Sequence, residues 1–497
     1  MEIKLAGYNV ESEILDQITA QDNSIPRLTP ETISAAYARI SRSSKEIKEL
    51  RKEAREDVQK ARQSNQRIIF EMSHHSVAEH AVFNFDIIGV SRLALEEIEK
   101  FRLVSYTEKS QRYVTLDGDF TIPEEIPSND SHYRSLFINT VEIQNQFYKK
   151  AFLKLKEYLF DQYPQKIANK SEKKVVEGWA KEDARYILSL ATQGQVGVTI
   201  NARNLEHLFR RFTLSSRAEV REIGKLLFQR VEKITPSLIL FPTPSRFVAS
   251  LSESFTKKLN TFYSQKNKDQ ESTPIPLEPQ ILSYTQNADD IILASLFAFS
   301  NQIHYSQALD FVGSLNFEEK KSLYIELFRF MEFFDAPPRD FEFPQITFQA
   351  VISASNFAQL KRHRIATLIS GDYDTAFGNI IPPNIKIIGM EDEFNHIITE
   401  TNAVYRQIKE KYPQVADYIL TNSHCRRVIM KMNLREMYHF IRLRADAHAQ
   451  WDIRNLASNL LEKTREIMPL STLLLSGKSQ FVEQFEQIYN QKPNFLI

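Results

Sequence analysis

Two stretches of the chain combine basic and hydroxyl side chains in a way that suits phosphate binding. KFRLVSYTEKSQRYV (100–114) places two lysines and two arginines among serine and threonine residues, and KRHR (361–364) forms a second basic cluster. Guanidinium groups and short hydroxyl donors match a phosphate well. A solvated charged loop is the alternative for the first stretch, and a nucleic-acid patch also fits the second.

Arg444 is predicted to lie on an apolar stripe of a helix. At about 100° per residue, Met437, Phe440 and Ile441 share the face that carries this arginine. A guanidinium on such a stripe is costly unless it is paired. Either an internal carboxylate or an anionic ligand would satisfy it, and the pattern does not choose between them.

Neither a metal site nor a reactive thiol is predicted. HHSVAEH (74–80) contains three histidines and a glutamate, but the spacing is not H-E-x-x-H and lacks the i, i+4 relation of a helical zinc pair. Capping and turn hydrogen bonds explain its polar residues instead. The single cysteine, Cys425, excludes an internal disulfide and is interpreted as a buried, inert thiol.

Composition narrows the function classes further. Only 12 of the 497 residues are glycine, against a usual share of about 7%, and no two of them form a G-x-G. A Rossmann fingerprint and a Walker A loop are therefore excluded, and any nucleotide must be bound by side chains. Lys and Arg (63) balance Asp and Glu (63), which argues against a dedicated nucleic-acid binder.

Helical periodicity dominates, and the same order of elements occurs twice. A long helix is predicted from the N-cap at Thr29 to about Phe70, and another from Asn316 to about Phe334, with Glu319 placed for a capping box. A β-like run follows each helix, at 81–90 and at 345–353.

The order reflects a tandem duplication. Residues 200–223 align with 432–453 at an offset of 232 (Asn433 against Asn201), and KFRLVSY (100–106) aligns with RHRIATL at an offset of 262. The first copy therefore carries about 30 extra residues between the two motifs. Arg444 aligns with Phe212, or with Arg211 if one residue is skipped, and the sequence leaves both alignments open.

Domain boundaries and location follow from the remaining segments. Residues 257–279 are rich in Lys, Asn, Gln, Ser and Pro and predict a linker between domains 1–256 and 280–497. The N-terminus has no signal pattern, and no apolar run approaches the roughly 18 residues of a membrane span. A cytoplasmic protein without a membrane or nucleic-acid partner is expected.

Taken together, the motifs resemble the flavin-dependent thymidylate synthases, whose signature is RHRxxSxNxxSxR. An H-x-(S/T)-x-x-EH segment and a strand precede that signature, and a helical N-x-R segment ending in R-x-x-x-H-A-Q-W-E-I follows it. The resemblance occurs once per half and spans nearly the whole chain. It implies an α+β fold of two tandem copies, each helix-rich with a small central, mostly antiparallel sheet.

The two copies depart from the family pattern in opposite ways. The first half has Lys100-Phe101-Arg102 for RHR, Glu97 for the glutamine before it and Thr107 for the asparagine. It keeps the residues that resemble the nucleotide-binding loop. The second half keeps the RHR motif but carries Asp372 and Asp417 where the first half has basic residues, and aspartates there would repel a phosphate.

The resemblance implies reductive methylation of deoxyuridylate (dUMP) to thymidylate, with methylenetetrahydrofolate and NADPH as co-substrates and FAD as cofactor. It assigns a catalytic role to Arg444. It assigns dUMP binding to Glu108, Ser110, Gln111, Arg112, Arg185, Gln359 and Arg362. It assigns FAD binding to His74, Ser76, Glu79, Arg362, His363, Arg364, Asn433, Arg435 and His439.

Because family members are homotetramers with active sites between subunits, the copies are expected to complement each other. The active site would take its nucleotide loop from the first half and its RHR motif and catalytic arginine from the second. A homodimer would then rebuild a four-domain assembly with half of its sites intact. The alternative is a catalytically inactive flavin- or nucleotide-binding scaffold, suggested by the losses at Thr107 and Phe101.

Overall fold

A computed structural model describes residues 1–11, 29–40, 43–112, 114, 118–266, 276 and 278–493. Residues 267–275 and 277 of the predicted linker lie outside these ranges. Within them, helices surround two antiparallel sheets, one in each sequence half. The predicted α+β architecture of two tandem copies is confirmed, and no described helix has the length and hydropathy required to cross a bilayer.

The first half contains the sheet β1-β2-β4-β3 and the helices around it. Its strands are β1 (Glu2–Tyr8), β2 (Val82–Ser91), β3 (Ser105–Glu108) and β4 (Gln193–Asn201). Its helices are α1 (Glu31–Ile40), α2 (Ile47–Glu56), α3 (Val58–Gln66), α4 (Arg92–Ile98), α5 (Ser131–Gln162), α6 (Pro164–Ile167), α7 (Lys170–Ala184), α8 (Ala202–Thr213), α9 (Ala218–Val231), α10 (Arg246–Ser250) and α11 (Thr256–Lys266).

The second half repeats the strand order as β5-β6-β8-β7. Its strands are β5 (Gln280–Tyr284), β6 (Gln345–Ser353), β7 (Thr367–Ser370) and β8 (Cys425–Asn433). Its helices are α12 (Ala288–Asn301), α13 (Tyr305–Ser314), α14 (Phe317–Phe328), α15 (Ala354–Leu360), α16 (Pro383–Ile387), α17 (Glu391–Lys411), α18 (Leu434–Arg444), α19 (Trp451–Ile467) and α20 (Phe481–Tyr489).

The predicted strands are confirmed, and their alternation builds each core. In β2 the side chains of Phe83, Phe85 and Ile87 are all buried on one face, where helices α8 and α9 cover them. In β6 the side chains of Ile346 and Phe348 are buried in the same way, beneath α18 and α19. Burial of alternate apolar residues fixes the register of each strand, since a slip of one residue would expose the whole set.

The predicted helices are confirmed only in part. Asn316 and Glu319 form the expected capping box, but α14 ends at Phe328 rather than near Phe334. The first long helix is also wrong as a single element, because Asp57 interrupts it and caps α3 by accepting from the Lys60 amide at 2.9 Å. Aspartate competes for backbone donors in this way and favours helix starts over helix interiors.

The duplication is visible in the caps that hold equivalent helices. Ser91 and Ser353 cap α4 and α15, and each hydroxyl also donates to a carboxylate, of Glu219 or of Asp452, at 2.5 Å. Asn201 and Asn433 likewise cap α8 and α18, accepting from backbone amides at 2.9 and 2.8 Å. The equivalent helices therefore begin at equivalent residues in both copies.

The chain forms two compact units that do not follow the sequence halves strictly. Unit 1 comprises residues 1–272 and 383–421, and unit 2 comprises 273–382 and 422–497. Helix α17 belongs to unit 1, where Gln144 of α5 donates to Thr401 at 2.9 Å and Phe147 packs against Phe394. The domain boundary at 257–279 remains a prediction about the two sequence copies.

Candidate functional site

The basic loop of unit 1 begins where strand β3 ends. Strand β3 pairs with β4 so that Glu108 lies opposite Val196, and the Lys109 amide donates to the Gln195 carbonyl at 2.9 Å. Ser110 accepts from the backbone amide of Arg112 at 3.2 Å, which shapes the turn. The sheet edge therefore presents the side chains of 108–112, including Gln111, as a half-buried group.

Arg112 of this loop and two further arginines, Arg92 and Arg185, form a basic cluster in unit 1. Arg112 donates to Glu182 of α7, and Arg92 donates to Glu108 at 3.1 Å. Arg185 follows α7 and is 6% exposed. Burial lowers the pKa of the Arg185 guanidinium, Tyr186 and Glu182 oppose that shift, and the charges of Arg112 and Arg92 add to it. A bound anion would stabilise the charged form of an arginine that is exposed to such repulsion.

Unit 2 brings together the second group of predicted site residues. Arg444, at the end of α18, donates from Nε to His363 Nε2 at 3.0 Å and from Nη2 to the Gln359 carbonyl at 3.4 Å. His363 Nδ1 lies 3.4 Å from Glu436 Oε1. Burial lowers the pKa of His363, and Arg444 lowers it further while Glu436 opposes both effects.

The Gln359 side chain is buried beside this cluster. Its Nε2 lies 3.5 Å from Gln450 Oε1, at the cap of α19. Its Oε1 has no hydrogen-bond partner among the described residues. A buried amide oxygen with no partner is costly, so this atom is suited to accept a bond from a ligand.

The residues predicted to bind FAD in unit 2 lie on helix α18, from its cap onward, and in the segment that follows α15. Asn433 caps that helix, and Arg435 donates to the Pro337 carbonyl at 2.8 Å. His439 is exposed, with its ring centroid 5.7 Å from that of His363. Arg362 is half-buried and Arg364 is exposed.

The remaining predicted FAD residues lie in unit 1, in and before the 3₁₀ helix His75–His80. His74 and Ser76 are exposed, and Glu79 pairs with Arg203. Across the described part of the chain, no group of three or more His, Cys, Asp or Glu residues could hold a metal ion.

The first-half counterparts of the arginine–histidine pair are aromatic. Phe212 lies 11 residues after the capping Asn201, as Arg444 lies 11 after Asn433, so helix register pairs Phe212 with Arg444. Phe212 is buried, with its ring 6.0 Å from that of Phe101, the counterpart of His363. Arg211 instead lies on the exposed side of the helix, above the Phe101 ring.

Two carboxylates of unit 1 stand at the positions of predicted site residues of the other copy, and both form ion pairs. Asp417, the counterpart of Arg185, pairs with Arg217. Glu97, the counterpart of Gln359, lies 2.5 Å from Lys100 and 3.6 Å from Arg217. Burial raises the pKa of Glu97, but Lys100 and Arg217 outweigh that effect and hold the pKa below its usual value. These carboxylates are therefore neutralised internally.

The shortened loop of unit 2 is held by an arginine that the first half lacks. Arg426 donates from Nε to the Gly371 carbonyl at 2.7 Å, and its guanidinium lies over the rings of Phe357 and Tyr373. Its counterpart 232 residues earlier is Gly194. The loop equivalent to 108–112 is thus anchored to strand β8, and Asp372 is exposed.

Cys425 is fully buried, and burial raises the pKa of its thiol far above the usual value. The thiolate is the reactive form of cysteine. The predicted burial of this thiol is confirmed, and its inertness remains a prediction.

Three residues of these clusters were missed from the sequence. Glu182 lies three residues before Arg185, which is a helical spacing that places both on one face and could have indicated it. Glu436 lies within the helical N-x-R segment, three residues after Asn433. Arg92 gives no local signal, because only the pairing of β3 with β4 brings Glu108 to it.

The duplicated α+β fold, with one arginine-centred cluster in each unit, is that of a protein built from two tandem copies of one domain. The family model described as thymidylate synthase complementing protein matches residues 25–237 and 280–470. The chain therefore belongs to the flavin-dependent thymidylate synthase family and carries two copies of the family domain in tandem.

Relatives fall into two groups by the share of this chain that they match. The flavin-dependent thymidylate synthase of Clostridium tetani is 33% identical over 220 residues, covering 44% of this chain and 83% of that protein. The corresponding protein of Geobacter sulfurreducens is 31% identical over 211 residues, covering 42% of this chain and 80% of its own. A UPF0159 protein of Thermoplasma acidophilum is 23% identical over 487 residues, covering 84% of this chain and 88% of its own.

A crystal structure of the Helicobacter pylori flavin-dependent thymidylate synthase, complexed with FAD and dUMP, was also found. It is 17% identical, covers 49% of this chain and all of that one, and has a TM-score of 0.31.

Proposed function

We propose that this protein is an active flavin-dependent thymidylate synthase that converts dUMP to thymidylate. One observation carries the proposal: each half keeps the polar cluster that the other half has lost. Arg112 and Arg185 persist in the first half, where the second half has Asp372 and Asp417. Arg444 persists in the second half, where the first has Phe212. Unselected decay would not leave complementary sets.

The proposed active site therefore draws on residues of both halves. Arg112, Arg185 and Ser110 would hold the nucleotide phosphate, since paired guanidinium groups and a hydroxyl match its geometry. Glu108 and Gln111 complete the first-half contribution. Gln359 and Arg362 would bind the same nucleotide from the second half, with the unpartnered Gln359 Oε1 as an acceptor.

Arg444 would stabilise negative charge that develops on the pyrimidine ring when the ring is activated. Its Nε is held by His363 and its Nη2 by the Gln359 carbonyl, so the guanidinium is oriented before substrate arrives. Preorganised donors of this kind need no reorganisation at the moment of reaction and are worth about 2.7–4 kcal/mol each.

The donors around α18 suit FAD, which has phosphates, hydroxyls and an aromatic ring system. Arg364 offers an exposed guanidinium, and the imidazole of His439 is exposed beside His363. Arg362, His363, Asn433 and Arg435, with His74, Ser76 and Glu79, complete the proposed set. Bound FAD would carry a hydride from NADPH to the one-carbon unit that methylenetetrahydrofolate supplies. A homodimer is proposed as the assembly.

The experiment uses the purified full-length chain. The flavin absorption band reports FAD binding, and release of tritium from [5-³H]dUMP with methylenetetrahydrofolate, NADPH and FAD reports turnover. Arg112→Ala and Arg444→Ala should each abolish release, because one site requires both halves. Retained turnover in either variant would contradict the composite site. A yellow wild-type protein without release would support the scaffold alternative.

A further inference from the structure

Three polar side chains of unit 2 form a chain of contacts that ends at Arg444: an electrostatic contact joins Glu436 to His363, and a hydrogen bond joins His363 to Arg444. Glu436 Oε1 lies 3.4 Å from His363 Nδ1, and Arg444 Nε donates to His363 Nε2 at 3.0 Å. Glu436 is 8% exposed and His363 is 4% exposed. The imidazole is therefore enclosed between a carboxylate and a guanidinium, away from bulk water.

The direction of these contacts fixes the proton on the imidazole. A guanidinium can only donate, so His363 Nε2 must present its lone pair to Arg444. The one proton of the neutral ring then lies on Nδ1, facing the Glu436 carboxylate. A second proton on Nε2 would remove the bond to Arg444, and burial also disfavours the charged ring.

All three members of the chain are replaced in the other copy. Asn204, Phe101 and Phe212 stand at the positions of Glu436, His363 and Arg444. The Asn204 side chain donates to Asn201 at 2.9 Å, and the two phenylalanine rings pack on each other. The first copy retains none of the three residues, which indicates that they act together.

We propose that Glu436 is a positioning residue for the catalytic arginine: its carboxylate holds His363 in the Nδ1-protonated tautomer, and that tautomer orients Arg444. This inference rests on the proposed function for its link to turnover. It adds an acidic residue to the site that acts through His363 and does not touch substrate. A misplacement of about 1 Å in a catalytic group can cost about a hundredfold in rate.

Kinetics of Glu436→Gln and Glu436→Ala provide the first test, with Glu319→Gln as the matched control. Glu319 occupies the same position of α14, three residues after a capping asparagine, so the control reproduces the loss of charge at a helix start. Turnover (kcat) should fall about tenfold in Glu436→Gln and about a hundredfold in Glu436→Ala, with KM for dUMP unchanged. The control should keep wild-type kcat.

The pH profile separates positioning from a structural role. Removing the carboxylate removes an interaction that favours protonated His363, so the acid limb of kcat should move to lower pH in Glu436→Gln. Glu436→Asp should recover part of the lost kcat. Unchanged kcat, or an unchanged acid limb, in a folded Glu436→Gln variant would overturn the proposal.

A readout without turnover keeps this inference separate from the proposed function. Spectra of ¹⁵N-histidine-labelled protein, with His363 assigned through His363→Gln, should show Nδ1 protonated and Nε2 unprotonated in the wild type. Glu436→Ala should mix the tautomers, whereas Glu319→Gln should not. If wild-type protein releases no tritium, the proposed function fails, and these spectra alone decide the inference. An unchanged tautomer in Glu436→Ala would overturn it.

Discussion

Arg444 donates to His363 across 3.0 Å in one copy of the domain, and the same two positions are filled by packed phenylalanines in the other. Phe212 and Phe101 bring their rings to 6.0 Å, within the usual range for edge-to-face packing. The same pair of positions therefore forms a polar pair in unit 2 and part of the apolar core in unit 1.

Arg444→Ala should abolish turnover and leave the fold intact. The side chain is half-buried and is not part of the apolar core, and it donates to a histidine and to a backbone carbonyl, so little packing is lost. Loss of one preorganised donor predicts at least a hundredfold drop in kcat. Tritium release and the thermal unfolding midpoint measure the two effects. Arg442→Ala, on the same helix, is the control and should retain turnover.

Phe212→Ala should destabilise the fold and leave turnover intact. Phe212 is 1% exposed and packs against Phe101 and Gly224, so truncation leaves a cavity that costs about 3–5 kcal/mol. The unfolding midpoint in urea should fall markedly, whereas folded enzyme should keep its kcat. A variant with wild-type stability would show that this position is not part of the core.

Arg217→Ala and Arg112→Ala should have different effects, because Arg217 belongs to an internal ion-pair network and Arg112 to the proposed dUMP site. Arg217 pairs with the buried Asp417 and lies 3.6 Å from the half-buried Glu97, so its loss removes a cation from beside both carboxylates. Breaking such buried pairs costs about 3–5 kcal/mol. Arg217→Ala should therefore lower the unfolding midpoint without changing KM for dUMP.

Arg112→Ala should abolish turnover, because its guanidinium is proposed to hold the dUMP phosphate. Its described partner, Glu182, is buried, so the variant should lose stability as well. Equal effects of the two variants on turnover of dUMP would argue against the distinction between these arginines.

Cys425→Ala should leave turnover unchanged. The thiol is buried, its pKa is raised by burial, and its described contact is a weak bond to the Ser423 carbonyl at 3.7 Å. A small buried side chain replaced by a slightly smaller one should cost about 1 kcal/mol. Tritium release by the variant is the measurement. A folded but inactive protein would overturn a mechanism without a cysteine nucleophile.

The sequence predicted those parts of the site that depend on local pattern. The capping role of Glu319 was predicted because capping is decided within four residues, whereas Asn433 was identified through the repeat and the N-x-R motif. Arg444 was found because helical spacing sets a single arginine among apolar residues. The sequence alone did not decide whether Arg444 aligns with Phe212 or with Arg211, because a one-residue gap is compatible with both. The position of each residue in its helix, counted from the caps Asn201 and Asn433, pairs Arg444 with Phe212.

Contacts that depend on tertiary folding were not predictable from a single chain. Arg217 and Asp417 are 200 residues apart, and only the packing of residues 383–421 into unit 1 brings them together. Glu97 appeared in the sequence as a lost glutamine, whereas its partners Lys100 and Arg217 make it part of an ion-pair network. The absence of the family's glutamine at this position therefore did not predict that Glu97 belongs to an ion-pair network.

His363 should make stability depend on pH in a definite direction. Its pKa is lowered in the folded state, so the unfolded chain binds a proton at higher pH than the folded one does. Stability contributed by the neutral ring is then fully present above the ordinary value of 6.5 and is lost as pH falls below it. The slope from this one group is at most about 1.4 kcal/mol per pH unit. Urea unfolding at pH 8.0, 7.0, 6.0 and 5.5 should therefore show a steeper loss for wild type than for His363→Gln, with parallel behaviour above pH 7. Equal slopes at low pH would show that His363 is free to protonate in the folded protein, and the tautomer that orients Arg444 would then not be held.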